Sequence, residues 1–95
     1  MDKLLRILKA TADPSRIRLL ILCVHGEFTV SELVQVIGQS QPRVSRHLRI
    51  LCDAGLLQRT QQGNWAFYRS FSKGIDAEFV RRLTAIIPAK DPTIQ

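Results

Sequence analysis

Cysteine is scarce in this chain. Its two residues, Cys23 and Cys52, each lie in an apolar stretch. That excludes a disulfide framework as the organising principle, and both thiols read as small buried apolar side chains. Long hydrophobic runs are missing too. No stretch of about 18 or more apolar residues occurs, so no membrane-spanning helix is encoded. The opening "MDKLLRILKA" is broken by charge every few residues, unlike the continuous apolar core of a secretory signal. These absences lead us to expect a cytoplasmic protein. Acidic residues are few: 8 Asp and Glu stand against 14 Lys and Arg, for a net charge of +6. A bias of that size in a small chain favours a polyanionic partner, most simply nucleic acid.

What is present is enough for one domain of 95 residues, 45% of them hydrophobic. In "DKLLRILKATA", residues 2–12, Leu4, Leu5 and Leu8 share one helical face. "DPSR" then restarts a helix, with Asp13 suited to the N-cap and Pro14 to the first helical position. From Ile17 to Val24 the apolar positions cover nearly the full circumference, so this second helix is expected to be central. Gly26 breaks it. Thr29 and Glu32 fit a capping box, followed by Val30, Leu33, Val34 and Ile37 at helical spacing up to Gly38. A fourth helix opens on Ser40 as N-cap with Pro42 in its first turn, and Gly55 closes it.

The next run, "LLQRTQQGNWAFYRSF", reads as two strands about the hairpin signal Gly63-Asn64. Trp65 is expected to be a packing anchor rather than a stacking platform. A last helix over 75–87 carries the stripe Ile75, Phe79, Leu83, Ile86 and Ile87, and Pro88 ends it. The expected fold class is therefore mainly α with a small β-hairpin, in the order α-α-α-α-β-β-α. Two short helices joined by a glycine-containing turn, with a hairpin behind them, make a winged helix-turn-helix. The domain is expected to span 1–87, with 88–95 an irregular tail or the start of a linker.

Function follows from where the charge falls. The second helix of such a motif enters the major groove of DNA, with its N-terminal residues near base edges. Turning Val44, Leu48 and Leu51 inward turns Pro42, Arg43, Arg46, Arg49 and Asp53 outward, with His47 and Ile50 flanking. Between Gln39 and Ser70 stand Arg43, Arg46, Arg49, Arg59 and Arg69 against Asp53 alone, a local +4 of the total +6. The guanidinium fork matches guanine O6 and N7 or a pair of phosphate oxygens. A helix N-terminus at Ser40 and Gln41 favours phosphate. Candidate DNA contacts are thus Gln39, Ser40, Gln41, Pro42, Arg43, Ser45, Arg46, His47 and Arg49, joined by Arg59, Gln62, Gly63, Asn64 and Arg69 from the wing. Gln41, Arg43, Arg46 and His47 are expected to set specificity. The competing class is an interaction module that turns the same surface to a protein. Enzymatic chemistry is not expected, because the His, Cys, Ser and acidic residues show no nucleophile–base–orienter spacing. No cofactor is expected either.

At this point "LKATADPSRIRLLILC", "SQPRVSRHLRILCDAGLL" and "GNWAFYRS" closely resemble the ArsR family of winged helix-turn-helix repressors, in order from about Leu8 to Phe71. The resemblance implies a homodimer paired through the first and last helices, which places Leu4, Leu5, Leu8, Phe79, Leu83, Ile86 and Ile87 at the interface. It also implies an inverted-repeat operator and release by an inducer.

Departures from the family pattern bear on that inducer. Metal-sensing members carry C-x-C on the third helix, where this chain has Thr29 and Ser31. Others hold zinc on the last helix through Asp, His and Glu. Here that helix has Asp76 and Glu78 but no histidine; the chain's only histidines are His25 and His47. With about four convergent ligands needed, no metal site is expected. Thiol-sensing relatives pair a cysteine on the second helix with one on the last. Cys23 matches the first, the second is absent, and Cys52 is the remaining redox candidate. "IPAKDPTIQ" also resembles the linker of regulators fused to an S-adenosylmethionine-dependent methyltransferase, an alternative in which this domain is the DNA-binding half. The effector stays open.

Overall fold

Side-chain caps set the starts of the second, third and fourth helices in the computed structural model, which describes residues 1–71, the backbone of 75–76 and residues 77–87. α1 runs Asp2–Thr11 and α2 Pro14–His25. Between them the Asp13 carboxylate accepts the backbone N–H groups of Ser15 at 2.8 Å and Arg16 at 3.2 Å, which sets the entry to α2. α3, Val30–Ile37, opens on a complete capping box. Glu32 N–H donates to Thr29 Oγ1 at 3.3 Å, and Thr29 N–H donates to Glu32 Oε1 at 2.8 Å. Gly38 closes it in the left-handed region at φ 77°, its N–H reaching Val34 O at 2.9 Å. α4, Gln41–Asp53, starts two residues later with Ser40 Oγ accepting from Arg43 N–H.

The strand count exceeds expectation. β2, Leu57–Gln62, and β3, Trp65–Ser70, form the hairpin, but Phe28–Thr29 form a further strand, β1, on the other side of β3. All pairing is antiparallel, with Phe28 opposite Tyr68 and Thr29 opposite Phe67. The observed order is therefore α-α-β-α-α-β-β-α. A two-residue strand has no alternation to betray it; it exists because β3 offers an unpaired edge where α2 hands over to α3. The hairpin register puts Gln62 opposite Trp65, so Gly63 and Asn64 are the whole loop. Gly63 has φ 62° and Asn64 a negative φ, the signature of a turn that needs glycine at its first central position.

α2 is the hub. It touches α1, α3, α4, α5 (Ile75–Ala85) and β3. The fully buried side chains Leu19, Leu20, Leu33, Val44, Leu48, Leu51, Leu56, Leu57 and Val80 come from α2, both helices of the helix-turn-helix, the hairpin base and α5. α5 stops two residues earlier than the apolar stripe suggests: Ile86 and Ile87 close with tighter i→i−3 bonds to Leu83 and Thr84. Its buried face is Ala77 and Val80, while Phe79 and Leu83 pack only partly on the core. α1 likewise buries Ile7, Ala10 and Thr11 and leaves Leu4, Leu5 and Leu8 between 46 and 48% exposed. The side chain of Ile75 and the tail expected over 88–95 lie outside the described residues.

Candidate nucleic-acid interface

α4 carries two faces with opposite chemistry. Val44, Leu48 and Leu51 have no exposed surface and seat the helix on α2 and α3. The helical repeat then leaves Gln41, Pro42, Arg43, Arg46, Arg49 and Asp53 in solvent. Gln41 Nε2 donates to Ser45 Oγ at 2.9 Å, which orders the first turn without consuming either arginine. Gln39 is more constrained: its Nε2 donates to Ser15 Oγ at 2.6 Å, tying the turn before α4 to the first turn of α2.

Beside α4, toward the start of α2, lies an open polar depression of about 440 Å³ edged by Asp13, Arg16, Arg43, Arg46 and His47. Arg16 is the residue that sequence reading missed. Its Nε donates to Ala10 O at 2.6 Å, its NH2 group reaches Lys9 O at 3.4 Å, and its NH1 group lies 3.2 Å from His47 Nδ1. The only hint was its place in "DPSR", which explains a helix start but not a contact 31 residues along the chain. Partial burial holds the His47 imidazole below its ordinary range. Asp13 opposes that shift, and Arg16, Arg43 and Arg46 add to it.

The wing divides its candidates. Arg59, Gln61 and Gly63 form a chain of hydrogen bonds at the tip, Arg59 NH2 to Gln61 Oε1 and Gln61 Nε2 to Gly63 O, each 2.9 Å. Gln62, Gly63 and Asn64 are exposed there. Trp65 corrects the expectation of a packing anchor: it is 60% exposed, because the hairpin tip projects past the point where β1 and the core cover β3. Arg69 is not brought to the arginines of α4. It lies at the other end of α2, 3.7 Å from Glu27 and beside a second depression of about 470 Å³ that includes Cys23 and Arg81.

The structure also bears on the effector candidates. Cys23 is 2% exposed, and burial pushes its thiol up to about 12. Burial likewise raises the half-buried Cys52. Thiolate character, which redox sensing requires, is disfavoured at both. Glu78 is engaged by Arg81 and Arg82, and the hydrogen bond from Arg81 holds its carboxyl below the usual range. No group of three or more His, Cys, Asp and Glu among the described residues is placed to hold a metal ion. No helix among them is long and apolar enough to cross a membrane.

Residues 13–59, from the α2 cap to the middle of β2, match the family described as "Bacterial regulatory protein, arsR family". The crystal structure of the transcriptional repressor BigR from Xylella fastidiosa superposes with a TM-score of 0.78 at 32% identity, over 90% of this chain and 84% of that one. The chain belongs to the arsR family. Its fold is the winged helix-turn-helix. The arsenical resistance operon repressor of Escherichia coli (strain K12) is 39% identical over 66 residues, 68% of this chain and 56% of that protein. Another match among solved structures is the homodimeric winged helix-turn-helix DNA-binding domain, fragment 1–100, of a Mycobacterium bovis protein described as a possible ArsR-family transcriptional regulator. It has a TM-score of 0.75 and 29% identity over 90% of this chain and 74% of that one. The chain spans about half the length of the curated arsR-family relatives it matches first.

Proposed function

We propose that residues 1–87 form the DNA-binding and dimerisation unit of a non-catalytic transcriptional repressor that acts in the cytoplasm as a homodimer on an inverted-repeat operator. One observation carries this reading: α4 seats itself through three fully buried side chains and holds Arg43, Arg46 and Arg49 in solvent on the opposite side. Arg43 and Arg46 are one turn apart, so both can enter one major groove, with Gln41 and His47 beside them. Ser40, Gln39 and Ser45 shape the N-terminal turn that meets the backbone. Arg49 and the wing residues Arg59, Gln62, Gly63 and Asn64 supply flanking phosphate contacts. Arg69, bridged to Glu27, takes at most a peripheral phosphate.

The second copy is called for by α1. Leu4, Leu5 and Leu8 are close to half exposed, and Ile86 beyond α5 is 76% exposed. Apolar side chains gathered on the two terminal helices are covered when a two-fold partner brings its own α1 and α5 against them. The similar Mycobacterium bovis domain is homodimeric, which supports a dimer. Two copies then set two α4 helices on successive turns of the duplex, roughly 34–36 Å apart.

Gel-shift or fluorescence-anisotropy titration on DNA from the gene's own upstream region tests the reading. With about six arginine–phosphate contacts per dimer, affinity should fall roughly a thousandfold between about 50 and 200 mM salt. Binding indifferent to salt, or no preference for that DNA over random duplex, refutes it.

A further inference from the structure

We infer that Arg16 locks His47 in a single neutral tautomer, so that α4 offers the His47 Nε2–H group as a hydrogen-bond donor to an acceptor atom of the operator. The inference rests on the DNA-binding reading above and assigns an atom and a positioning residue to it. A guanidinium has only N–H donors and no acceptor. The contact of 3.2 Å between the Arg16 NH1 group and His47 Nδ1 is therefore a hydrogen bond only if Nδ1 is the bare, accepting nitrogen. A neutral imidazole carries one ring proton, which must then reside on Nε2. No hydrogen bond among the described residues engages Nε2, and His47 lines the open depression next to Arg43 and Arg46.

Arg16 is itself held rigidly. Its Nε and NH2 groups donate to Ala10 O and Lys9 O in the last turn of α1, where Lys9 O also accepts the Ala12 N–H. A cation there also sits at the negative end of the α1 dipole. One side chain thus spans the end of α1, the first turn of α2 and the middle of α4. The proton position on His47 is set by the α1–α2 corner rather than by solvent. The groups facing the imidazole are Asp13 at the cap of α2, Arg16 within α2, and Arg43 and Arg46 from its own helix. Protonating Nδ1 would turn an N–H against the guanidinium, so the neutral, single-donor form is the one the packing favours.

The test has two independent arms. In the first, nitrogen-15 NMR of the imidazole is recorded on the DNA-free protein at neutral pH. The wild type is expected to show the Nε2–H tautomer alone. Arg16→Met should move the ring toward a tautomer mixture, and Arg16→Lys, which still donates, should partly restore it. An Nδ1–H form, an imidazolium, or a ring unmoved in Arg16→Met overturns the lock.

In the second arm, affinity is measured for the upstream duplex. His47→Ala should lose about tenfold. His47→Gln, whose amide N–H₂ reaches near the Nε2 position, should retain most of the binding, and His47→Asn should not. Arg16→Met should cost little further in the His47→Ala background; equal losses in both backgrounds would make Arg16 a general structural residue and overturn its positioning role. Removing purine N7 (7-deaza analogues), guanine O6 (2-aminopurine) or thymine O4 (5-methyl-2-pyrimidinone), or replacing a phosphate by methylphosphonate, identifies the acceptor as base edge or backbone. If none of these changes removes the His47 effect, the donor assignment fails. A chain that binds no DNA refutes the proposed function as well, whereas one that binds DNA equally well as His47→Ala refutes this inference alone.

Discussion

Leu48→Ala and Arg46→Ala sit two residues apart on α4 and should separate its two faces. Leu48 is fully buried in the core. Cutting it to alanine removes its apolar contacts and leaves a cavity, which costs about 2–5 kcal/mol. Against a total stability of about 5–15 kcal/mol for a domain of this size, that is a large fraction. At about 4–8 °C per kcal/mol, a loss near 3 kcal/mol lowers the melting temperature by roughly 10–25 °C. Arg46 is exposed and makes no packing contribution of this kind. Its truncation should change stability by no more than about 0.5 kcal/mol, yet weaken specific DNA binding by about 1–3 kcal/mol per half-site if it makes a bidentate base contact. Denaturation is best followed by far-UV circular dichroism at fixed protein concentration, since association shifts the apparent midpoint. The single tryptophan is a poor reporter because it stands exposed on the wing. Two results would refute the reasoning: a melting temperature unchanged by Leu48→Ala, or a stability loss in Arg46→Ala as large as that in Leu48→Ala. An equal affinity loss on operator and random DNA would reduce Arg46 to a phosphate ligand.

Three other expectations are simpler to check. Leu5→Glu places charge in the apolar face of α1 and should shift sedimentation-velocity profiles from dimer to monomer without loss of helix content in the monomer; an unshifted profile refutes the α1 interface. Cys23, with its thiol pushed from 9.0 to about 12 by burial, should resist alkylation in the folded protein at neutral pH and react only on unfolding. Because the fold favours the neutral thiol, that contribution to stability is complete below the unfolded value and is lost as the pH rises through 9.0 toward 12, which alkaline denaturation would reveal. Thr29→Ala removes one half of the α3 capping box and should cost about 1 kcal/mol in denaturant titrations.

Local signals were legible because they act over three or four residues. The Asp13 cap, the Thr29–Glu32 box, the Ser40 cap and the Gly63 turn all stand where residue chemistry placed them. So does the division of α4 into a buried and an arginine-bearing side, since a period of 3.6 decides it once Val44, Leu48 and Leu51 are chosen for the core. Trp65 misled because aromatic content argues for burial, whereas burial depends on what covers the strand, and nothing among the described residues covers the hairpin tip. Arg69 stands with the other arginines along the chain, but β3 carries it to the far end of α2, where it meets Glu27.

By itself the sequence determined the helices, their caps, the hairpin and the family motif, because each is encoded by spacing within one element or one turn. Only the tertiary structure decided the rest. It added β1 to the free edge of β3, turned Leu4, Leu5 and Leu8 away from their own core, and sank Cys23 beyond ready ionisation. It also brought Arg16 against His47 across 31 residues of chain. Such contacts depend on how α1, α2 and α4 pack together, and no spacing within a single element records that.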